Sequence, residues 1–327
     1  MSSLSSSRWF CPVLALSLTG ALAACAEAQE PSVAEQELVS EITIDGLGVF
    51  PESIASDAAG NIYVGSNPGV IYRAQAGSDI AEPWLQPDDE NSPMSAFGVL
   101  ADDARGLLWV CFNPSMGTED GAPAIKAFDL ASGALEASYP LATGEGPAMC
   151  NDITIAPDGA VFASEMLGGQ IMKLAPGGEA FEVWAVDPEF ATLDGISFAA
   201  DGTLYANAIQ RNTLLRIHRE EDGSFARAEQ VQTSRDIVTP DGLRPLPDGR
   251  MLQTEGEAGL VTVITFDADG SAIVTPIADG VDYASSVTPV GGRAYYPEGK
   301  LRFLFGPDAG KDPGAFVIRS VAIPEVQ

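Results

Sequence analysis

Four side chains with oxygen donors recur at equivalent points of the sequence. They are Glu52, Asn151, Asp194 and Asp241, and each lies at the start of a short apolar segment. Carboxylate and amide oxygens are the ligands that hard divalent cations prefer, and calcium binds several of them at once. Asp and Asn are also common in turns, where their side chains bond to the nearby backbone. That alternative accounts easily for one such residue, whereas four at equivalent points favour a cation site.

Each of these residues introduces one copy of a repeated sequence unit. The clearest copy, Cys150 to Glu165, has the pattern of an apolar strand, a Pro-Asp-Gly turn and a second strand. Six copies follow one another, and their turn glycines are roughly 43 to 53 residues apart, a period typical of propellers and other repeat arrays. The turn glycines are Gly60, Gly106, Gly159, Gly202, Gly249 and Gly292.

The elements that must position the candidate ligands are strands. Each repeat has the pattern of about four short strands, and no segment shows sustained helical periodicity. Four-stranded sheets repeated around a ring form a β-propeller, so we predict an all-β, six-bladed propeller over residues 39–327. The last repeat lacks a fourth strand of its own. We expect Glu41–Ile44 to pair with Phe316–Ile323, which would close the ring and cover an open sheet edge.

Propeller geometry brings the candidate residues to one mouth of the central channel. The first strand of every blade lines this channel, and the second strand returns to the same end with further polar residues. Glu165 and Glu255 are the stronger candidates for groups that orient the ligands or act as a general base. The full set of substrate-contact or ligand-orienting candidates is Glu165, Asn207, Glu255 and Glu298.

Composition excludes several classes of function. The chain has a net charge of -29 at pH 7, which repels phosphate groups, so nucleic acid and anionic lipid headgroups are not expected partners. His218 is the only histidine, and it lies in a predicted outer strand away from the mouth. A Ser-His-Asp hydrolase is therefore excluded.

The segments that carry the four candidate ligands resemble a known family, that of senescence marker protein, gluconolactonase and regucalcin. The resemblance covers roughly residues 40 to 323. It rests on Pro51-Glu52, Asn151-Asp152, Leu193-Asp194-Gly195 and Pro240-Asp241-Gly242.

This resemblance implies a six-bladed propeller with one divalent cation on its axis. Calcium is the first expectation, with zinc, magnesium or manganese as alternatives. Metal-ligand roles are implied for Glu52, Asp194 and Asp241, and a ligand or substrate-contact role for Asn151. The implied activity is hydrolysis of an ester-like bond in a small molecule, typically a sugar lactone.

The sequence departs from the family pattern at three points. Ser53 follows Glu52 where the family has glycine, and Asp194 replaces an asparagine. Residues 148–150 lack an arginine that contacts sugar substrates in some members. Three carboxylates around one cation should tighten cation binding and reduce the strength of the cation as a Lewis acid. Without the arginine, the pocket suits a polyhydroxylated acid less well.

Two functions remain open at this point. The first is a metal-dependent hydrolase of lactones or esters, in which Asp241 accepts a proton or attacks the substrate directly. The second is a non-catalytic propeller of the cell envelope that binds a ligand or a protein and carries a structural calcium.

Two cysteines, Cys111 and Cys150, remain within the predicted propeller. They lie at the same end of neighbouring repeats, so they could form a disulfide in an oxidising compartment. The alternative is a pair of buried thiols, and we favour that alternative from the sequence.

Residues 1–25 have the composition of an export signal. Arg8 ends a short polar region, and the apolar stretch from Trp9 to Leu22 is too short to span a membrane. The stretch that ends in Ala24 and Cys25 resembles a bacterial lipobox, which implies cleavage before Cys25 and lipidation of its thiol. Ordinary cleavage near Ala24, leaving an unmodified Cys25, is the alternative.

Residues 26–38 are small, acidic and proline-containing, and we expect them to form a flexible tether. Lipid on Cys25 would then be the only membrane attachment. We expect a monomer exported to the cell envelope, on the periplasmic side. Because Ala26 follows the cysteine, the outer membrane is favoured over the inner membrane.

Replacing the lipidated cysteine tests this localisation. In a Cys25→Ser variant, we expect the protein to move from the membrane pellet to the soluble envelope fraction, because the lipid supplies the attachment. Fractionation followed by immunoblotting measures the distribution, and Cys11→Ser, in the apolar part of the signal, is the matched control. A Cys25→Ser protein that still sediments with membranes would contradict the lipobox interpretation.

Overall fold

The computed structural model describes residues 38–87, 94–115, 122–141 and 146–326. Strands dominate these residues, and the short helical turns are three-residue 3-10 segments at Pro188–Phe190, Ile209–Arg211 and Leu301–Phe303. Within the same ranges there is no helix with the length and apolarity needed to cross a bilayer. The predicted export signal, Cys25 and the tether up to residue 37 lie outside the described residues.

The strands form groups of four that are consecutive in the chain. Blade 1 contains β2 (Pro51–Ser56), β3 (Ile62–Ser66), β4 (Ile71–Ala74) and β5 (Ile80–Leu85). Blade 2 contains β6 (Met94–Asp102), β7 (Leu107–Pro114), β8 (Ala124–Asp129) and β9 (Leu135–Pro140). Blade 3 contains β10 (Cys150–Ile155), β11 (Val161–Glu165), β12 (Gln170–Leu174) and β13 (Glu182–Val186).

The second half of the chain repeats this arrangement. Blade 4 contains β14 (Leu193–Phe198), β15 (Leu204–Ala208), β16 (Thr213–Arg219) and β17 (Phe225–Gln230). Blade 5 contains β18 (Pro240–Pro245), β19 (Met251–Glu255), β20 (Leu260–Phe266) and β21 (Ala272–Ala278). Blade 6 contains β22 (Thr288–Val290), β23 (Arg293–Pro297), β24 (Phe316–Ala322) and, from the start of the chain, β1 (Glu41–Ile44).

The two ends of the chain close the ring. Strand β1 pairs antiparallel with β24, with Glu41 opposite Arg319 and Ile44 opposite Phe316. A short parallel contact between β1 and β5 then joins blade 6 to blade 1. The predicted all-β propeller with closure by its terminal strands is confirmed, and the sheet edge that would otherwise be exposed is covered.

Apolar side chains between neighbouring blades form the core. Phe162 of blade 3 packs edge-on against Phe198 of blade 4, with ring centroids 5.3 Å apart. Trp184 lies against the same Phe162 ring at 5.1 Å. The first strands contact one another around the ring, as β2 does with β6 and β10 with β14. This packing fixes the starts of the first strands relative to each other, which is where the candidate ligands lie.

Cys111 of β7 and Cys150 of β10 form a disulfide between blades 2 and 3, with their Cα atoms 5.4 Å apart. The interpretation of these residues as free thiols is therefore wrong. Antiparallel pairing returns β7 to the channel end where β10 begins, and this brings the two cysteines together. Asn113 supports the same junction, because its Nδ2 donates to the Cys150 carbonyl at 2.7 Å and its Oδ1 accepts from the Cys150 amide at 2.9 Å.

Removing this disulfide should destabilise the protein measurably. The bridge spans a sequence separation of 39, for which loop-closure entropy predicts a loss of about 3–4 kcal/mol of unfolding free energy. We expect a Cys111→Ser/Cys150→Ser variant to show a lower midpoint in urea unfolding. As a control, a reductant should lower the midpoint of the wild type and leave that of the double variant unchanged. Equal midpoints for oxidised wild type and variant would contradict the prediction.

Candidate functional site at the channel mouth

Each candidate ligand lies at an irregularity in the first strand of its blade. A β-bulge of this kind interrupts the alternation of side chains and re-aims those beside it, and bulges are common next to functional sites. At the bulges, the side chains depart from the regular in-and-out alternation of the strand. Each bulge lies at the end of the strand that is nearest the channel mouth. The register shifts lie between Pro51 and Ser53, Cys150 and Ile153, Leu193 and Ile196, and Pro240 and Leu243.

The glycines that follow two of the aspartates allow neighbouring first strands to touch. A Cβ on Gly242 would lie 2.6 Å from the Cα of Ser286, and one on Gly195 would overlap the carbonyl oxygen of Asp241. Backbone therefore packs directly on backbone around the mouth. The Asp-Gly pairs of the sequence have two functions, because the aspartate supplies a carboxylate and the glycine allows the adjacent blade to approach.

The four predicted ligands line one small cavity. Glu52, Asn151, Asp194 and Asp241 surround a cavity of about 10 Å³ at the mouth, which is room for about one water molecule or one ion. Asn151, Asp194 and Asp241 are buried and Glu52 is half-buried. The Asn151 amide donates to Oδ2 of Asp194 at 3.1 Å. The remaining lining residues are Ser53, Asp152, Gly242, Ser285 and Ser286.

Burial and like charge disfavour ionisation of the three carboxyl groups. Burial, followed by the charges of Asp194 and Asp152, raises the pKa of Glu52 well above its usual value. Burial raises the pKa of Asp194 to about 7, although hydrogen bonds with Asp241 and Asn151 oppose the shift. Burial and the charges of Asp194 and Glu52 raise the pKa of Asp241 strongly. A bound cation would favour the ionised forms, because opposite charge offsets the repulsion.

The chemistry of this donor set fits a hard divalent cation. Three carboxylates and an amide oxygen are the ligand types that calcium prefers. The side chains do not form a finished ligand shell, however. Across residues 38–87, 94–115, 122–141 and 146–326, no group of three or more His, Cys, Asp or Glu side chains is arranged to hold a metal ion. Hydrogen bonds within the site give a reason, because Asp194 is bonded to Asn151 and to Asp241.

A buried ion pair lies across the channel beside this cavity, and sequence reasoning missed it. Arg244 of β18 donates from Nη1 to Oδ2 of Asp152 at 2.7 Å and from Nη2 to Oδ1 at 2.9 Å. The guanidinium also donates to the carbonyls of Leu243 and Val99. Asp152 in turn accepts from the backbone amide of Ile196 at 3.1 Å. One side-chain pair thus connects blades 2, 3, 4 and 5. A basic residue inside an otherwise apolar buried strand was the available sequence signal.

Glu165 and Glu255 lie outside the cavity and hold loops at the mouth. Oε1 of Glu165 accepts from the backbone amides of Met149 and Leu167, and Oε2 accepts from Gly168 at 2.8 Å. The carboxylate of Glu255 forms a bidentate ion pair with Arg235 and also accepts from the amide of Val238. These bonds occupy both carboxylates, so the geometry gives no support to a general-base role for either residue.

The other two outer candidates have different positions. Asn207 donates from Nδ2 to the carbonyl oxygen of Asp241 at 2.7 Å, so it holds the backbone of a candidate ligand. Glu298 accepts from Arg319 at 2.7 Å and belongs to the closure between the chain ends. His218 bonds to Glu229 at 2.6 Å in the outer part of blade 4, which agrees with its expected place away from the mouth.

Solved structures share the architecture of this chain. It is similar to a gluconolactonase from Xanthomonas campestris, with 17% identity, a TM-score of 0.59, and coverage of 87% of this chain and 89% of that one. It is also similar to the calcium-binding protein regucalcin from Agrobacterium tumefaciens, with 16% identity, a TM-score of 0.57, and coverage of 88% of this chain and 98% of that one. Similarity to virginiamycin B lyase from Staphylococcus aureus is comparable, with 16% identity, a TM-score of 0.56, and coverage of 79% of this chain and 80% of that one. The fold is that of a β-propeller.

Identities this low show a shared fold and leave the activity open, since one fold carries many functions. The resemblance to gluconolactonase and regucalcin is therefore confirmed for the architecture. A family model described as strictosidine synthase-like, N-terminal, matches residues 40–74, a segment that includes Glu52 and extends no further than blade 1. No curated protein matches the sequence.

Breaking the buried ion pair should be far more damaging than breaking an exposed one. We expect Arg244→Met to lower the unfolding free energy by about 3–5 kcal/mol, because Asp152 would remain buried without its partner. Arg211→Met is the matched control, since Arg211 pairs with Glu189 at the surface and should lose less than about 1 kcal/mol. Urea unfolding measures both, and similar losses in the two variants would contradict the assigned role of the buried pair.

Proposed function

We propose that this propeller is a divalent-metal-dependent hydrolase of lactone or ester bonds in a small molecule. The observation that carries the proposal is the convergence of three carboxylates, two of them buried, and one amide on a single cavity at the channel mouth. Similarity in fold to a gluconolactonase and to a calcium-binding regucalcin is consistent with it. Calcium is the proposed cation, with zinc, magnesium or manganese as alternatives.

Glu52, Asn151, Asp194 and Asp241 would hold the cation. When bound, it would act as a Lewis acid on the substrate carbonyl or lower the pKa of a water molecule. The buried ion pair of Arg244 and Asp152 lies beside the cavity, and both side chains are almost completely shielded from solvent. Electrostatic interactions are stronger in such a site than in water.

Asp241 is the proposed reacting carboxylate. It would accept a proton from the attacking water or attack the carbonyl carbon itself. Its backbone is held from two sides, because Asn207 donates to its carbonyl oxygen and Gly195 packs directly against the same atom. Asn207 therefore acts as a positioning residue, and Asp194 is fixed by the amide of Asn151.

A second candidate function is a non-catalytic envelope propeller with a structural calcium. The bonding of the two outer carboxylates favours it. Glu165 is bonded to loop amides and Glu255 to Arg235 and the amide of Val238, so neither is available as a general base. The location in the envelope, the lipid anchor on Cys25 and the monomeric state stay proposals under either function.

Cation binding should be visible as a gain in stability. A ligand that binds only the folded state at about 100 times its Kd adds about 2.7 kcal/mol, which for a domain of this size raises the Tm by on the order of 5 °C. We expect calcium to raise the Tm of the wild type and a chelator to lower it. The Tm of Asp241→Asn should respond much less, because one ligand charge is gone.

The matched control for that experiment is Asp248→Asn. Asp248 lies in the β18–β19 turn, at the end of blade 5 opposite the mouth, and pairs there with Arg250. Its variant should keep the full calcium response. A wild type with no bound metal, confirmed by elemental analysis, whose Tm ignores calcium, zinc, magnesium and manganese would overturn the cation site.

Activity separates the two candidate functions. A screen of aliphatic lactones and aryl esters with each of the four cations should reveal metal-dependent turnover. We expect Asp241→Asn to lower kcat/KM by about 100-fold or more, the usual range for a lost general base. Full activity in Asp241→Asn would refute the role of Asp241 as the reacting carboxylate. A protein that calcium stabilises but that turns over no substrate would favour the non-catalytic propeller.

A further inference from the structure

We propose that Ser164 is a positioning residue of the candidate cation site, whose hydroxyl group fixes the backbone at one candidate ligand and beside another. Ser164 is the next-to-last residue of β11 and is completely buried. The proposal deepens the proposed function and rests on its cation site, because it names a determinant of cation affinity at the same mouth.

The Ser164 hydroxyl group connects blade 3 to blade 4. It donates to the carbonyl oxygen of Asp194 at 2.6 Å and accepts from the backbone amide of Asp152 at 3.0 Å. Asp152 directly follows Asn151 in the chain, so one hydroxyl group holds the backbone of both neighbouring strands at the mouth. The side chains of the two candidate ligands also meet there, because the Asn151 amide donates to Oδ2 of Asp194.

The β-bulge in β14 explains why this hydroxyl group is needed. The register with β15 shifts between Leu193 and Ile196, so backbone groups in the bulge lose their partners in the ladder. A buried carbonyl group without a partner is costly. Ser164 binds the Asp194 carbonyl from the neighbouring blade, and Asp152 accepts from the amide of Ile196. Blade 3 therefore holds the bulge that aims the Asp194 carboxylate.

The same strand position makes such a contact at three consecutive blade junctions. Antiparallel register places one residue each of β7, β11 and β15 at this position. In every case the partner lies in the first strand of the next blade, at a candidate ligand or directly before one. The pairs are Cys111 with Cys150, Ser164 with Asp194, and Asn207 with Asp241. A link repeated at equivalent points indicates a shared task, which is to fix the strand that carries the ligand.

The equivalent residue of blade 5 provides a matched control. Thr254 occupies this position in β19 and is completely buried, but its hydroxyl group has no hydrogen-bond partner among the described residues. The corresponding carbonyl group in the next blade, that of Ser285, already accepts from the amide of Gly242 at 3.1 Å. Removing the Thr254 hydroxyl group should therefore break no hydrogen bond and move no ligand.

Calcium titration of the purified protein, followed by isothermal titration calorimetry, tests the assignment. We expect Ser164→Ala to raise the Kd for calcium about tenfold or more, because the Asp194 carbonyl and the Asp152 amide lose their shared partner. Ser164→Thr should recover most of the affinity, since blade 5 accommodates threonine at the same position. Thr254→Val should keep the Kd of the wild type.

Urea unfolding in the presence of a chelator separates positioning from a purely structural role. A Ser164→Ala variant that is less stable but keeps the calcium Kd of the wild type would overturn the assignment. An equal rise of the Kd in Thr254→Val, or a wild type that binds no calcium, would overturn it as well.

These outcomes differ from those that test the hydrolase. If Ser164→Ala weakens calcium binding and Ser164→Thr restores it, but the wild type hydrolyses no ester or lactone, the hydrolase proposal fails and the assignment of Ser164 stands. If the wild type shows metal-dependent turnover while Ser164→Ala binds calcium normally, the assignment fails and the hydrolase proposal stands.

Discussion

The ion pair between Asp152 and Arg244 is the constraint on which the site depends. Both residues are almost completely buried, and the pair has four hydrogen bonds from the guanidinium that reach blades 2, 3 and 5. A buried pair of this kind contributes little net stability compared with apolar packing, but losing either partner leaves an uncompensated charge. Because neither partner is tolerated alone, the pair couples the blades only when both residues are present. It also gives one of the four carboxylates at the mouth a cationic partner, whereas Glu52, Asp194 and Asp241 form no ion pair among the described contacts.

Those three carboxylates impose an electrostatic cost that the fold must offset elsewhere. Their pKa values are raised by burial first, which means that folding opposes their ionisation. The offset comes from contacts that involve no side-chain charge at the mouth. They include the disulfide between Cys111 and Cys150 and the backbone packing at the Asp-Gly pairs. Without a cation, the three carboxylates destabilise the folded protein, while the disulfide and the backbone contacts keep it folded. Such an arrangement favours strong cation binding, because the cation relieves the repulsion.

The propeller and the convergence of the four candidate residues on one cavity could be predicted because the repeat makes distant residues equivalent. Once Glu52 and Asp241 occupy the same point of two repeats, closure of the ring brings them together. The Arg244 pair could not be predicted, because it depends on which inward side chains meet across the channel. The hydrogen bonds that Glu165 accepts from backbone amides could not be predicted either, because they depend on how the loops at the mouth fold around it. Strand β9 (Leu135–Pro140) is largely exposed. Only Ala137 and Tyr139 pack against the core, so its sequence carries a weak periodic signal.

The path of the chain connects the proposed anchor to the proposed substrate. Strand β1 runs antiparallel to β24, so the chain enters blade 6 at the turn end, where Leu38 lies near the turn glycines Gly60 and Gly77. If Cys25 is lipidated as we propose, only the twelve residues 26–37 separate the anchor from the described chain. The turn end would then face the membrane, and the mouth would face the aqueous side. A substrate must consequently reach the mouth through water, which favours a soluble small molecule over a lipid taken directly from the bilayer.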